Sequence, residues 1–281
     1  MNKYELYKLK VAGLSNEQVF RIVSYWEMNG DWPDLEQIAQ LAGCRNQALF
    51  IERYIRIDDQ ILREEFKEFD SISIMDEEYP EELLWMHNPP VLLFYEGNID
   101  LLKHPKIAVV VGSRRCSRIG IHSVEKIINE LNNELVVVSG LAKGIDAASH
   151  YAAIRNGGKT IGVIGTGLDV YYPRCNKQLQ KHMSERYLVL TEYGPGQGPQ
   201  KHHFPERNRI IAGLSRGVIV AEARMRSGSL ITCERALEEG RDVFAIPGSI
   251  IDGRSDGCHH LIQEGAKLVT SGKDVLDEFE F

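Results

Sequence analysis

Seven short apolar runs, at residues 107–111, 135–138, 160–164, 188–190, 218–221, 243–246 and 267–269, constrain this chain more than any other feature. Each is separated from the next by a segment long enough for one helix. A strand that is apolar along its whole length, rather than at alternate positions, is buried on both faces, and such strands belong to parallel sheets with helices on both sides. The pattern predicts an α/β fold, an extended Rossmann-like sheet that is doubly wound and mostly parallel. Two further strand candidates precede it at 71–75 and 91–95, and Pro89-Pro90 fixes an extended entry to the second.

Residues 1–70 have a different period. Apolar residues recur at three-to-four spacing in Leu6, Leu9, Leu14, Val19, Ile22 and Val23, and again through Ile38, Leu41, Phe50, Tyr54, Ile57 and Ile61. Gly13, Gly30 and Gly43 fall where helices would stop. The division expected is a small helical domain over 1–70 and the α/β domain over 71–281. The run from Ile38 to Cys44 has the apolar-then-glycine look of a helix-turn-helix. Residues 31–82 are rich in Asp and Glu, which would repel a groove-reading helix, so an ordinary helical hairpin is expected.

The first ten residues, MNKYELYKLK, hold no apolar signal core, and no stretch approaches the roughly 18 apolar residues of a membrane span, so a cytoplasmic protein is expected. The five cysteines are odd in number and never form C-x-x-C, which argues against a disulfide framework or a zinc ribbon. Cys258-His259-His260 has metal-binding residue types, but three consecutive residues do not aim at one ion, and no metal site is expected.

Ligands of such sheets bind at the carboxyl ends of the strands. The residues there are Gly112-Ser113-Arg114-Arg115, Ser139-Gly140 followed by Lys143-Gly144, Gly165-Thr166-Gly167, Gly194-Pro195-Gly196, and Ser227-Gly228-Ser229 a little beyond Ala221. Glycine and small hydroxyl residues let backbone N–H groups approach an anion, and the helices that follow direct their positive ends at it. Phosphate is the natural ligand. The spacing is not that of a dinucleotide fold, which needs G-x-G-x-x-G after its first strand and an acid ending its second. No G-x-x-x-x-G-K-[ST] occurs either, so no nucleotide cofactor is expected.

The formal net charge of −7 argues at face value against an anionic partner. Its distribution argues the other way. Residues 106–216 hold 16 Lys and Arg against 8 Asp and Glu, a local +8, and the rest of the chain carries −15, from 17 basic and 32 acidic residues. Arg114, Arg115, Lys143, Arg174, Lys177, Arg207 and Arg209 lie in or beside the strand-end loops, more cations than one mononucleotide needs. A polyanion crossing the crevice would use them. Tyr171, Tyr172, Tyr193 and Phe204, with His202 and His203, accompany these cations, and unpaired bases stack on such rings whereas a duplex offers no free faces. That favours single-stranded nucleic acid, although Tyr171 and Tyr172 fit a strand-end core equally well.

The ordered motifs Gly112-Ser-Arg114 with Ser117 and Gly120, VSGLAKGID from Val138 with Ala148 and His150, GTGLDVYYP from Gly165, FPERNRIIAGLS from Phe204, EARMRSGSLIT from Glu222 and VFAIPGS from Val243 resemble the DNA-processing protein A family (DprA/Smf) over about residues 71–270. The short helical domain, sterile-alpha-motif-like in this comparison, is similar to the streptococcal form. The resemblance implies a non-enzymatic protein that binds and protects single-stranded DNA, forms a homodimer and loads the RecA recombinase during natural transformation. It makes Arg114 and Arg174 the principal phosphate ligands. Gly112, Ser113, Ser139, Gly140, Lys143 and Lys177 would line the same pocket, and Arg207, Asn208 and Arg209 either bind there or only brace it. The first strand is one valine longer than the resemblance leads one to expect, so a bulge before Arg114 is anticipated.

A competing reading is a nucleotide phosphoribohydrolase, for which Glu234 or Asp146 would supply the carboxylate that an oxocarbenium-like centre requires. Both residues also fit as helix first-turn acids favoured by the macrodipole. Glu234, Glu238, Glu239, Gln263 and Glu264 are candidates for a recombinase surface, and Leu261, Ile262, Leu268 and Val269 for a dimer seam or for core.

Overall fold

The computed structural model describes residues 2–279 and divides into two compact units, residues 1–94 and 95–281. In the first unit five helices, α1 (Lys3–Val11), α2 (Asn16–Asn29), α3 (Leu35–Leu41), α4 (Gln47–Arg56) and α5 (Asp59–Phe66), precede strand β1 (Asp70–Ser73) and the short helix α6 (Glu81–Leu84). The periodic apolar residues form its core: Leu6, Leu9, Val19 and Ile22 are fully buried. Reciprocal capping boxes at Ser15 and Asp34 start α2 and α3, and the three glycines end α1, α2 and α3 with positive φ. Strand β2 (Leu92–Gly97), next to β1, carries the chain from one unit into the other.

The second unit alternates strands and helices as its apolar runs predict. Strand β3 (Ile107–Gly112) leads to α7 (Arg118–Glu130), β4 (Val136–Ser139) to α8 (Ile145–Arg155), and β5 (Lys159–Val163) to α9 (Lys177–Arg186). Then come β6 (Leu188–Thr191), α10 (His203–Gly213), β7 (Gly217–Ala221), α11 (Gly228–Glu238), β8 (Asp242–Ala245), α12 (Asp256–Gln263), β9 (Lys267–Leu268) and α13 (Lys273–Leu276). The strands lie in the order β6-β5-β4-β3-β7-β8-β9, every pair parallel. Both faces are packed: Val110, Val137, Ile219 and Phe244 share one buried cluster with Ile127 and Ile145, and Val109, Val138 and Val220 at the alternate strand positions are fully buried as well. Helix α7 shows why it lies on the sheet, since Gly120, Val124, Ile127 and Ile128 make one buried stripe.

The chain winds outward from β3 to β6 and then returns to place β7 on the other side of β3. The order reverses between β3 and β7, so a crevice opens beyond their carboxyl ends. The bulge anticipated in the first strand is absent. Ala108 to Gly112 pair in unbroken register with Gly217 to Ala221, and the additional valine extends the strand instead of buckling it. Gly112 is held at its end by close packing, because a Cβ there would strike Ala221 O and the Ile145 side chain. Among the described residues no helix is long and apolar enough to cross a membrane.

Candidate nucleic-acid interface

A cleft of about 760 Å³ opens at the switch point. One wall is the turn after β3, from Gly112 to Arg115, and a second is the first part of α10 with Phe204, Arg207 and Asn208, and Lys201 just before it. The third is the start of α11, from Ser227 to Thr232, with Arg224 before it, while Ala142 and Asp146 lie at the floor. The β3 turn is fixed through its backbone. Ser113 N donates to Glu222 O at 3.1 Å, Ile145 N donates to Ser113 O at 3.2 Å, and Arg115 N donates to Ser113 Oγ at 3.1 Å. Gly144 sits against this turn with φ 80, where a side chain would collide with Ser113 O. The rigid turn leaves Arg114 and Arg115 exposed.

Beside Arg114 lies an aromatic strip. The Arg114 guanidinium is 5.4 Å from the Phe204 ring centre, and Phe204 and Tyr172 are 5.5 Å apart and tilted by 40°. Tyr172 is 44% exposed, which places it at the surface and not in a strand-end core. Tyr171 is half-buried, with Lys177 Nζ at 4.7 Å and Lys181 Nζ at 5.8 Å from its ring. The loop bearing these residues is tied to the loop after β4, since Asn176 Nδ2 donates to Leu141 O at 2.9 Å and to Ala142 O at 3.0 Å. That clamp holds exposed Lys143 on one loop near exposed Arg174 and Lys177 on the other.

The anticipated residues therefore separate. Gly112, Ser113, Arg114, Arg207 and Asn208 line the cleft, whereas Ser139, Gly140, Lys143, Arg174, Lys177 and Arg209 do not. Ser139 is fully buried and donates its hydroxyl to Val110 O at 2.6 Å. Arg207 is 4% exposed. Its Nη1 donates to Gly140 O and, at 2.5 Å, to Val163 O, and its Nε donates to Asn208 Oδ1 at 3.1 Å, so one guanidinium ties the ends of β4 and β5 to α10. Arg209 pairs with Glu192 at 2.5 Å, both side chains largely buried. Tyr193 and His203 are also engaged internally. Their rings stack at 3.8 Å and 22°, the Tyr193 hydroxyl donates to Glu206 at 2.8 Å, and His203 Nδ1 lies 3.0 Å from Gly165 O. Neither ring face is open to a base, which corrects the expectation for these two aromatics. Lys201 and Arg224 complete the cationic rim; the first was one charge among sixteen in the sequence, and the second lay outside the basic segment.

The electrostatics favour an anion. Burial raises the Asp146 carboxyl above its ordinary range, and Arg207 and then Arg114 oppose that shift. Burial pushes the Arg207 guanidinium down to about 10, still charged at neutral pH. Beneath the floor, burial pushes His150 down to about 3; its Nδ1 lies 2.7 Å from Thr160 Oγ1. Of the two alternative carboxylates of the hydrolase reading, Glu234 is exposed and outside the cleft, and Asp146 lines it as a largely buried residue. The Cys258-His259-His260 triplet is dispersed too: the Cys258 thiol accepts from Ala223 N at 3.4 Å, and His259 Nε2 lies 3.1 Å from Gly248 O.

Fold and site thus define a doubly wound α/β protein with a cation-rimmed cleft at its switch point. The chain belongs to the DNA recombination-mediator protein A family, whose model matches residues 70–280, and a DNA processing protein A sterile alpha motif domain matches residues 1–62. It is a recombination mediator, not an enzyme. It is 66% identical to the DNA processing protein DprA of Streptococcus pneumoniae, over 100% of this chain and 99% of that one. A solved structure of that protein superposes with a TM-score of 0.98 over the same shares. The DNA processing protein DprA of Bacillus subtilis is 45% identical over 74% of this chain and 70% of its own. A DNA processing protein A from Helicobacter pylori, whose structure was described for its single-stranded DNA binding mode, is 27% identical with a TM-score of 0.66, covering 75% of this chain and 96% of that one.

Proposed function

We propose that this protein binds single-stranded DNA across the switch-point cleft without hydrolysing it, protects it, and as a homodimer loads the RecA recombinase onto it during natural transformation. The observation that carries the reading is the union of an exposed cationic rim, Arg114, Arg115, Lys201 and Arg224, with the open aromatic pair Phe204 and Tyr172. Such a surface takes phosphates and base faces together, as an unpaired strand requires. Arg114 is the principal phosphate ligand in the cleft, with backbone support from Gly112 and Ser113 and a side-chain amide from Asn208. Lys143, Arg174 and Lys177 extend the cationic path over the neighbouring loops. Ser139, Gly140, Arg207 and Arg209 act as braces. The DNA-binding unit is taken as residues 71–281, with the sterile-alpha-motif-like helices in 1–70. The single-stranded DNA binding mode described for the Helicobacter pylori relative supports the choice of a single strand.

The test is Arg114→Glu combined with Arg174→Glu. The double variant should lose anisotropy-detected binding of a fluorescent oligothymidine at moderate salt while its circular dichroism stays unchanged. Binding equal to wild type would refute the assigned surface. RecA filament nucleation on coated single strands, followed with and without the protein, tests the loading step; no acceleration would remove it.

A further inference from the structure

The second helix terminus beside the β3 turn is closed by the protein itself. Helix α7 begins at Arg118 after the N-cap residue Ser117, immediately beyond β3, and this is where a dinucleotide fold of this winding would seat its pyrophosphate. Here the position holds a side chain. Both carboxylate oxygens of Glu222 accept from Ser117 N, at 2.7 and 2.9 Å, and one accepts from Ser117 Oγ at 2.6 Å. Arg254 Nη1 stands 3.6 Å from the other oxygen. Glu222 is 6% exposed, and the carboxylate lies so close over Gly120 that a Cβ there would collide with it. These are the contacts a bound phosphate would make: backbone N–H, hydroxyl, a helix amino terminus and one guanidinium.

The backbone is arranged to deliver the group. Glu222 follows the last residue of β7 with φ 50, a left-handed conformation that a glutamate adopts at a cost. Its carbonyl accepts from Ser113 N, so one residue fixes the Gly112-Ser113-Arg114 turn on its cleft side and fills the α7 terminus on the other. The space left beside it is about 70 Å³, bounded by Ser117, Gly120, Ser249, Arg254 and Ser255.

We infer that Glu222 is a specificity-determining residue, a built-in anion that occupies the nucleotide-phosphate position at α7 and so excludes free mononucleotides and dinucleotides. The cleft on the other side of the turn is left to phosphates that a polymer lays across it from solvent. What then binds in the cleft rests on the single-stranded DNA reading, but the exclusion itself does not.

Glu222→Gly is the direct test, because glycine suits φ 50 and removes the carboxylate without straining the turn. Inorganic phosphate is titrated into the full chain by calorimetry. The variant should bind it at least about tenfold more tightly than wild type, and Arg254→Ala in the same background should remove the gain. Equal binding by wild type and a Glu222→Gly variant with native circular dichroism would overturn the inference. Should Glu222→Gly fail to fold, Glu222→Gln decides: loss of the charge alone should raise phosphate affinity above that of wild type, and a native variant without that gain refutes the proposal. Oligothymidine binding by wild type, followed in parallel, separates the two ideas, since its absence would sink the DNA reading whatever phosphate does.

Discussion

Arg207 offers the sharpest division between a ligand and a brace. Its guanidinium is buried, it satisfies the carbonyls of Gly140 and Val163, and it is the chief charge offsetting the cost of burying Asp146. Replacing it by alanine removes the cation and leaves a buried carboxyl and two buried carbonyls short of partners. Stranding two buried carbonyls without their donor costs about 1–3 kcal/mol each. For a domain of this size each kcal/mol lowers Tm by about 2–4 °C, so Arg207→Ala should melt roughly 4–24 °C below wild type. The deficit should depend on pH. Burial already raises the Asp146 carboxyl, and losing Arg207 raises it further, so the folded protein binds this proton more tightly than the unfolded chain does. A raised folded value costs nothing below the unfolded value of about 3.9 and costs more as pH rises above it. Urea unfolding followed by circular dichroism at pH 4 and pH 7 should therefore show the larger loss at pH 7. An Arg207→Ala variant of wild-type stability that fails to bind oligothymidine would refute the reasoning and make Arg207 a DNA ligand.

Other outcomes follow from the same geometry. Gly140→Ala drives a methyl into the Arg207 guanidinium and should lower unfolding free energy by about 1–3 kcal/mol, measured in urea; a change under about 0.5 kcal/mol would contradict the packing. His150, held neutral by burial and pushed down to about 3, should show no imidazole titration by NMR between pH 7 and 4.5. Because its folded value is depressed, its contribution to stability is present above about 6.5 and is lost as pH falls toward 3, so a His150→Asn variant should flatten that part of the stability curve. Phe204→Ala and Tyr172→Ala should each weaken oligothymidine binding by about 1–3 kcal/mol per stacked base with thermal stability near wild type, and unchanged affinity in both would remove the stacking role.

The central strands were legible because burial on both faces leaves them almost wholly apolar, and the winding followed from helix-length spacing between runs. The strand-end loops were legible as anion-receptive because they are short and rich in glycine. What the sequence could not show was where each cation is directed. Arg207 and Arg209 read equally as ligands or as braces, and only the fold shows one held among carbonyls and the other by Glu192, partners that are not near in sequence. Tyr193 and His203 likewise read as open rings until they stack on each other. Glu222 stood out only as the first letter of a motif. Its contact with Ser117 spans 105 positions and exists only because the sheet order reverses between β3 and β7.

The central claim is that a single strand lies in the cleft between the β3 turn and α10. A crystal structure of the protein with bound oligothymidine tests it most directly. The account predicts a phosphate against Arg114 and the Gly112-Ser113 backbone, with a base over Phe204 or Tyr172. Strand density on another face, with this cleft open to solvent, would contradict it.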